Sequence, residues 1–341
     1  MITASPTPRL PTPAQGWREA WREAITDAGE LLAAVGLAHR TDLLPADDAG
    51  FPLRVPRAFV ARMRHGDPDD PLLRQVLPQR AEHDEAPGFS VDAVGDMAAK
   101  AGHGLLHKYD GRALLIASGS CAVNCRYCFR RHFPYGEEIA AAAGWRDALA
   151  HVAADTSIRE LILSGGDPLS LATHKLEELT RGLAGLPHVI RLRIHTRLPV
   201  VLPERVDDAF VAWLAGLPLQ KVVVLHANHA NEFDAAVDAA CARLRDAGAT
   251  LLNQSVLLRG VNDDADALTD LCERSFAAGV LPYYLHQLDK VTGATHFEVD
   301  DARAVALVET LRARLPGYLV PKLVRELPGD ASKRPIADFA R

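Results

Sequence analysis

The chain has 341 residues, 48% of them hydrophobic, and 38 basic against 44 acidic side chains give a net charge of −6. That apolar share excludes general disorder, and the charge leaves no basic footprint for nucleic acid, whose phosphates are neutralised by Lys and Arg. Residues 1–13 are rich in Pro and Thr without an apolar signal core, and no apolar run nears the ~18 residues of a membrane span, so a cytoplasmic protein with no membrane or nucleic-acid partner is expected.

Residues 1–100 read as a helical accessory region. Trp17, Trp21 and Ile25 recur at i, i+4 and i+8, one helical stripe. Asp27 followed by Glu30 resembles a capping box that opens a second helix through Leu31, Leu32 and Val35. HGDPDDP, residues 65–71, reads as a loop. The stripe suits docking against the rest of the chain and carries no assigned chemistry.

Residues 101–325 change to alternation. Short β-rich runs fall at 113–117, 160–163, 189–194, 221–225, 250–256, 282–286 and 318–323, with helix-length stretches at 172–184, 204–215, 232–247 and 301–314. Strands alternating with helices predict βα units around a parallel sheet. Six or seven units suit an α/β fold of the open, partial (β/α) barrel type better than a doubly wound sheet, and barrel chemistry sits on loops after the strands.

Three of the five cysteines lie on such a loop, in SGSCAVNCRYCFRRHFPY, residues 118–135. Cys121, Cys125 and Cys128 are spaced C-x3-C-x2-C, which does not suit a disulfide framework. Three thiolates can each hold one iron of a [4Fe–4S] cluster and leave the fourth iron open. S-adenosylmethionine (SAM) can chelate such an iron through its amino and carboxylate groups. A zinc module for binding a partner is the alternative, with His132 as fourth ligand, although zinc sites usually show two paired ligand groups. Cys241 and Cys272 fall in helical stretches and read as core.

One unit later comes SGGDP, residues 164–168. Paired glycines let backbone approach closely, and Asp167 could accept hydrogen bonds from an ammonium group. Alone this could be a βα turn with Asp167 as a helix cap. Downstream of the cysteine triplet it resembles the Gly-Gly-acid loop of radical SAM enzymes, which implies that Gly165, Gly166 and Asp167 bind SAM.

Longer stretches carry a closer likeness. CRYCFRRHF, LSGGDPL, RIHTRLPVVLPERV, HANHANEF, LLNQSVLLRGVNDD and LPYYLHQLDKVTGATHFEV together resemble the lysine 2,3-aminomutases over nearly the whole chain. Residues 51–78 resemble most the branch that serves elongation factor P. The resemblance implies conversion of free L-α-lysine to (R)-β-lysine, which a separate lysyl ligase attaches to elongation factor P. It also implies a one-electron reductant and pyridoxal 5′-phosphate (PLP) beside SAM and the cluster.

The site roles implied by the resemblance follow residue by residue. Lys333, after LPGDAS, matches the lysine that forms the Schiff base with PLP, and makes 326–341 a PLP-lysine segment. Tyr109 and Arg112 match residues at the PLP ring, and Asn253, Gln254 and Ser255 a stretch that contacts its phosphate. Arg130 matches the arginine that pairs with the substrate carboxylate. Asp289 and Glu326 match two acids facing the ε-ammonium, with Glu326 standing where the family has aspartate. His226, Asn228 and His229 lie at a strand end, as SAM neighbours or as core and capping residues. Without the resemblance, Lys333 reads as an exposed tail lysine, Arg130 as a solvated base and the two acids as surface residues. Glutamate, arginine or protein-bound lysine are the alternative substrates, and two acids favour lysine. The longer relatives add a zinc site from a cysteine where this chain has Asp264, so no zinc is expected.

Overall fold

The computed structural model describes residues 16–44, 50–140 and 145–336; the leader reading of residues 1–13 lies outside them. Ten strands form one sheet in sequence order: β1 (Lys100–Gly102), β2 (Leu105–Tyr109), β3 (Arg112–Ser118), β4 (Glu160–Gly165), β5 (Arg191–Thr196), β6 (Gln220–Leu225), β7 (Ala249–Val256), β8 (Leu281–His286), β9 (Lys322–Arg325) and β10 (Arg334–Pro335). Strands β3 to β9 pair in parallel. An antiparallel β1–β2–β3 edge and an antiparallel β10 finish the two sides. The terminal strands do not pair with each other, so this is an open, partial (β/α) barrel.

Local chemistry sets the period of the units. Asp207, Asp234, Asp264 and Asp300 each accept a backbone N–H at the start of helices Asp208–Gly216, Ala235–Asp246, Ala265–Ala277 and Asp301–Arg314. An aspartate cap is worth about 1 kcal/mol, and here it marks where each strand-end loop turns into helix. Asp264 is one of these caps, accepting from both Asp266 N and Ala267 N. Along β7, Leu251, Asn253 and Ser255 point into the packed layer while Leu252, Gln254 and Val256 are only partly covered. This is the strict alternation of a strand.

The structure corrects three sequence expectations. The first helix stops at Arg22, and Ile25 instead exchanges backbone hydrogen bonds with Val55 (2.8 and 2.9 Å). Asp27 caps the next helix, Ala28–Ala34, from an extended backbone, which leaves no room for the first helix to run on. The run at 318–323 splits into a turn of 3₁₀ helix at Gly317–Leu319 and β9 from Lys322, because Pro321 has no N–H for a ladder. Within 65–71, Pro71 already opens a short helix, Pro71–Arg74, capped by Asp70.

The N-terminal helices and the sheet share one apolar cluster. It joins Leu31, Phe59 and Leu72 to Leu115, Leu163 and Ile194. A fully buried side chain of this size stabilises by roughly 1.5–3 kcal/mol, so the described N-terminal helices are fastened to the sheet. Among the described residues no helix is long and apolar enough to cross a membrane.

Candidate active site

A cavity of about 510 Å³ lies at the C-terminal ends of the parallel strands. Alternate positions face it, such as Ile162 and Ser164 of β4, Arg193 and His195 of β5, and Tyr284 and His286 of β8. Residues from β2 through the segment after β9 reach one cavity, so the sheet curls around it.

The cysteine loop forms one wall. Cys121, Cys125 and Cys128 all line the cavity. Burial and the neighbouring thiols push Cys121 well up and Cys128 to about 11, so binding a cationic iron must displace those protons. Arg126 and Arg131 are not the solvated bases that their charge suggests. Both are buried on Glu82, with Arg126 Nε at 2.8 Å and Arg131 Nη2 at 2.8 Å. Asn124 N donates to Arg54 O and Arg126 N to Gln75 O, each at 2.9 Å. The accessory region therefore braces the loop. Among the described residues no three His, Cys, Asp or Glu side chains gather on a single metal ion, and the His132 ring contacts Thr292 O at 3.1 Å.

The glycine loop presses against that wall. Gly166 N donates to Ser118 O at 2.7 Å and Asp167 N to Ser120 O at 2.8 Å. A Cβ on Gly165, whose φ is +120°, would sit 2.5 Å from Ser118 O, and one on Gly166 2.7 Å from Ser120 O. Glycine is needed here for contact between backbones. Asp167 is held in place by the following loop. It accepts from Thr196 Oγ1 at 2.7 and 2.9 Å, from Leu169 N at 3.0 Å, Arg197 N at 2.7 Å and Leu198 N at 3.1 Å. Its carboxylate braces the next loop, while Asp167 and both glycines line the cavity. Burial pushes Asp167 up to about 6 despite those donors.

Lys333 and the charged side chains form the opposite wall. Lys333 Nζ donates to Glu326, which also accepts from Lys108 Nζ at 2.9 Å. Lys108 is 2.6 Å from Asp96, and Asp96 in turn accepts from Arg130 Nε at 2.6 Å. Arg130 Nη1 donates to Ser164 Oγ at 2.9 Å. Burial alone would raise Glu326, but Lys333 and Lys108 outweigh it and hold its carboxyl far below the usual range. Asp289 behaves oppositely. Burial, then the charge of Glu326, pushes it up to about 7, and its Oδ1 has no hydrogen-bond partner. Such an orphaned buried oxygen beside the cavity fits a cationic ligand. The Arg112 guanidinium lies over the Tyr109 ring, 4.7 Å from its centre, and both line the cavity.

Comparison with known proteins decides the family. A family model for a 4Fe-4S single cluster domain matches residues 103–185. Over 330 residues, 96% of each chain, the sequence is 50% identical to the L-lysine 2,3-aminomutase of Escherichia coli. The chain belongs to the L-lysine 2,3-aminomutase family. The Haemophilus influenzae L-lysine 2,3-aminomutase is 47% identical over 95% of this chain and 96% of its own. That of Clostridium subterminale is 35% identical over 82% of this chain and 67% of its own. As a radical SAM aminomutase the protein is an isomerase that uses a [4Fe–4S] cluster, SAM and PLP.

Two of the expected PLP contacts fall elsewhere in this aminomutase. Gln254 lines the cavity, but Asn253 and Ser255 face the other side of β7. The Asn253 side chain pairs with Ala227 N and O, both at 3.0 Å, tying β7 to the end of β6, and Ser255 Oγ contacts Tyr284 O at 3.4 Å. Strand alternation turns the side chains of Asn253 and Ser255 away from the face that Gln254 presents. His226 lines the cavity, stacked on Tyr127 with ring centres 5.7 Å apart. Asn228 and His229 are structural: Asn228 Oδ1 accepts from Val256 N at 2.8 Å, and His229 Nδ1 accepts from Asn231 N at 3.1 Å. Sequence reasoning missed Asp96, Lys108, Gln75, Glu82, Arg197 and Glu232. It also missed His195, whose buried Nε2 has no hydrogen-bond partner beside the cavity.

Proposed function

We propose that this aminomutase converts free L-lysine to (R)-β-lysine in the cytoplasm, drawing electrons from a one-electron reductant and supplying a lysyl ligase that modifies elongation factor P. The observation that carries the lysine assignment is the acid pair beside Lys333: Glu326 on its Nζ, and Asp289 with an orphaned Oδ1. Three acids (Asp96, Asp289, Glu326) face three cations (Lys108, Arg130, Lys333). Asp289 Oδ1 is the acceptor left without a donor, and that is where an ε-ammonium would go. A basic or neutral side chain at position 289 or 326 would suit glutamate instead. The elongation factor P role rests on the likeness of residues 51–78 to that branch.

The cluster with SAM supplies hydrogen-abstracting one-electron chemistry, and PLP a conjugated carrier for the amine. The chain's own residues orient and shield. Cys121, Cys125 and Cys128 would hold the cluster, the Gly165–Gly166 backbone and His226 the SAM side, and Lys333, Tyr109, Arg112 and Gln254 the PLP side. Asp96 and Ser164 fix two nitrogens of Arg130 at the cavity wall, and Nη2 would be the one to meet the substrate carboxylate. Leu106, Leu114, Ile162 and Leu288 give the cavity apolar walls that exclude water. That orientation, with no dominant general base, is what the reaction asks of the protein.

The test is an anaerobic assay with iron, sulfide, SAM, PLP and a reductant, offering L-lysine, L-glutamate, L-arginine or lysylated elongation factor P. Chiral chromatography is expected to find (R)-β-lysine from the free lysine reaction. Product from glutamate, arginine or the lysylated protein alone would overturn the substrate assignment.

A further inference from the structure

Arg197 stands where the glycine loop meets the cysteine loop. Its Nη1 is 2.7 Å from Cys125 Sγ and 2.6 Å from Tyr127 Oη. Its Nη2 donates to Gln75 Oε1 at 2.7 Å and to Glu232 Oε2 at 2.9 Å. Its backbone N donates to Asp167 Oδ2 at 2.7 Å. We propose that Arg197 is a positioning residue that sets the reduction potential of the cluster through an N–H···S bond to Cys125.

A residue needed only to pair with Glu232 would use both sides of its fork on the carboxylate. Here one nitrogen serves Glu232 and the other is aimed at sulfur, while Nε is left buried with no partner. The side chain forgoes a hydrogen bond to reach the thiol. Glu232 is itself fully buried, held by Asn228 N at 2.7 Å and Gln75 Nε2 at 3.2 Å, so the guanidinium cannot swing away. A donor on a cysteine sulfur withdraws electron density from iron and favours the reduced, more negative cluster. The buried acid moderates that effect. Asp167 gains a purpose in the same stroke: its carboxylate holds Arg197 at the backbone, so the loop beneath SAM and the donor to the cluster move as one piece.

The inference rests on the assignment of the three cysteines to the cluster, which iron and sulfide analysis of the wild-type protein tests separately. In wild-type protein labelled with guanidino-¹⁵N arginine, pulsed EPR of the reduced cluster should detect a weakly coupled nitrogen that Arg197→Lys displaces. In an EPR-monitored redox titration, Arg197→Gln should shift the midpoint to more negative potential at unchanged iron content. Glu232→Gln, which strips the countercharge, should shift it the opposite way. No arginine nitrogen coupling in the wild type, or a full cluster with the wild-type midpoint in either Gln variant, overturns the proposal. Should Arg197→Gln lose its cluster, the wild-type coupling and the Glu232→Gln midpoint still decide.

Discussion

Replacing Glu82 by Gln should unfasten the cysteine loop at a cost that can be worked from the contacts. Glu82 Oε1 accepts from Arg126 Nε at 2.8 Å and Gln79 N at 2.9 Å, and Oε2 accepts from Arg126 Nη2 and from Arg131 Nη2 at 2.8 Å. The Glu82 and Arg126 side chains are 0% exposed and that of Arg131 1%. Gln is nearly isosteric, but its amide would turn a donor towards two guanidinium donors and strip two buried cations of the carboxylate they share. Breaking a buried pair of this kind costs about 3–5 kcal/mol, a large share of the roughly 5–15 kcal/mol that holds a domain folded. Urea unfolding of the cluster-free protein should show that loss, and anaerobic reconstitution should load less iron. Asp266→Asn, at the exposed Arg314 pair, should cost no more than about 1 kcal/mol. A Glu82→Gln protein within about 1 kcal/mol of wild type, with a full cluster, would refute the bracing argument.

Other outcomes follow from the same contacts. Asp289 titrates near 7 in the fold against an ordinary 3.8. The folded state therefore holds a proton that the unfolded chain has lost between those values, and the residue weakens the fold as pH rises through that window. Lysine needs the ionised form, so its binding should strengthen as pH rises through about 7, with proton release on binding below it. Asp289→Asn should raise the neutral-pH melting temperature, flatten the pH dependence and cost about 2–5 kcal/mol of lysine binding, read as KM against pH. Gly166→Ala places a methyl 2.7 Å from Ser120 O, so iron content after reconstitution should fall while the far-ultraviolet circular dichroism is kept. Asp167→Ala strands the N–H groups of Leu169, Arg197 and Leu198, at about 1–3 kcal/mol each; thermal unfolding should show a marked loss.

What the sequence made legible was local. The cysteine triplet and the β-rich runs at 113–117, 160–163 and 221–225 are each encoded within a few residues, and strands β3, β4 and β6 cover those runs. The partners of the catalytic wall were not legible because they are remote in sequence. Glu82 meets Arg126 across 44 residues, Asp96 meets Arg130 across 34, and Gln75 meets Arg197 across 122. All three come from a region whose amphipathic stripe suggested docking alone. Asp167 shows the reverse limit. Its loop stood out in the sequence, yet the partners of its carboxylate lie on a β5 loop 29 to 31 residues away. The side chains of Asn253 and Ser255 turn away from Gln254 because a strand presents every second side chain to one face.

The most direct measurement is borohydride reduction of the PLP-loaded protein followed by peptide mapping. Lys333 should carry the phosphopyridoxyl group stoichiometrically, and Lys333→Ala should carry none. Label on Lys108 or on a surface lysine, with Lys333 unmodified, would contradict a catalytic wall built around Glu326 and Asp289.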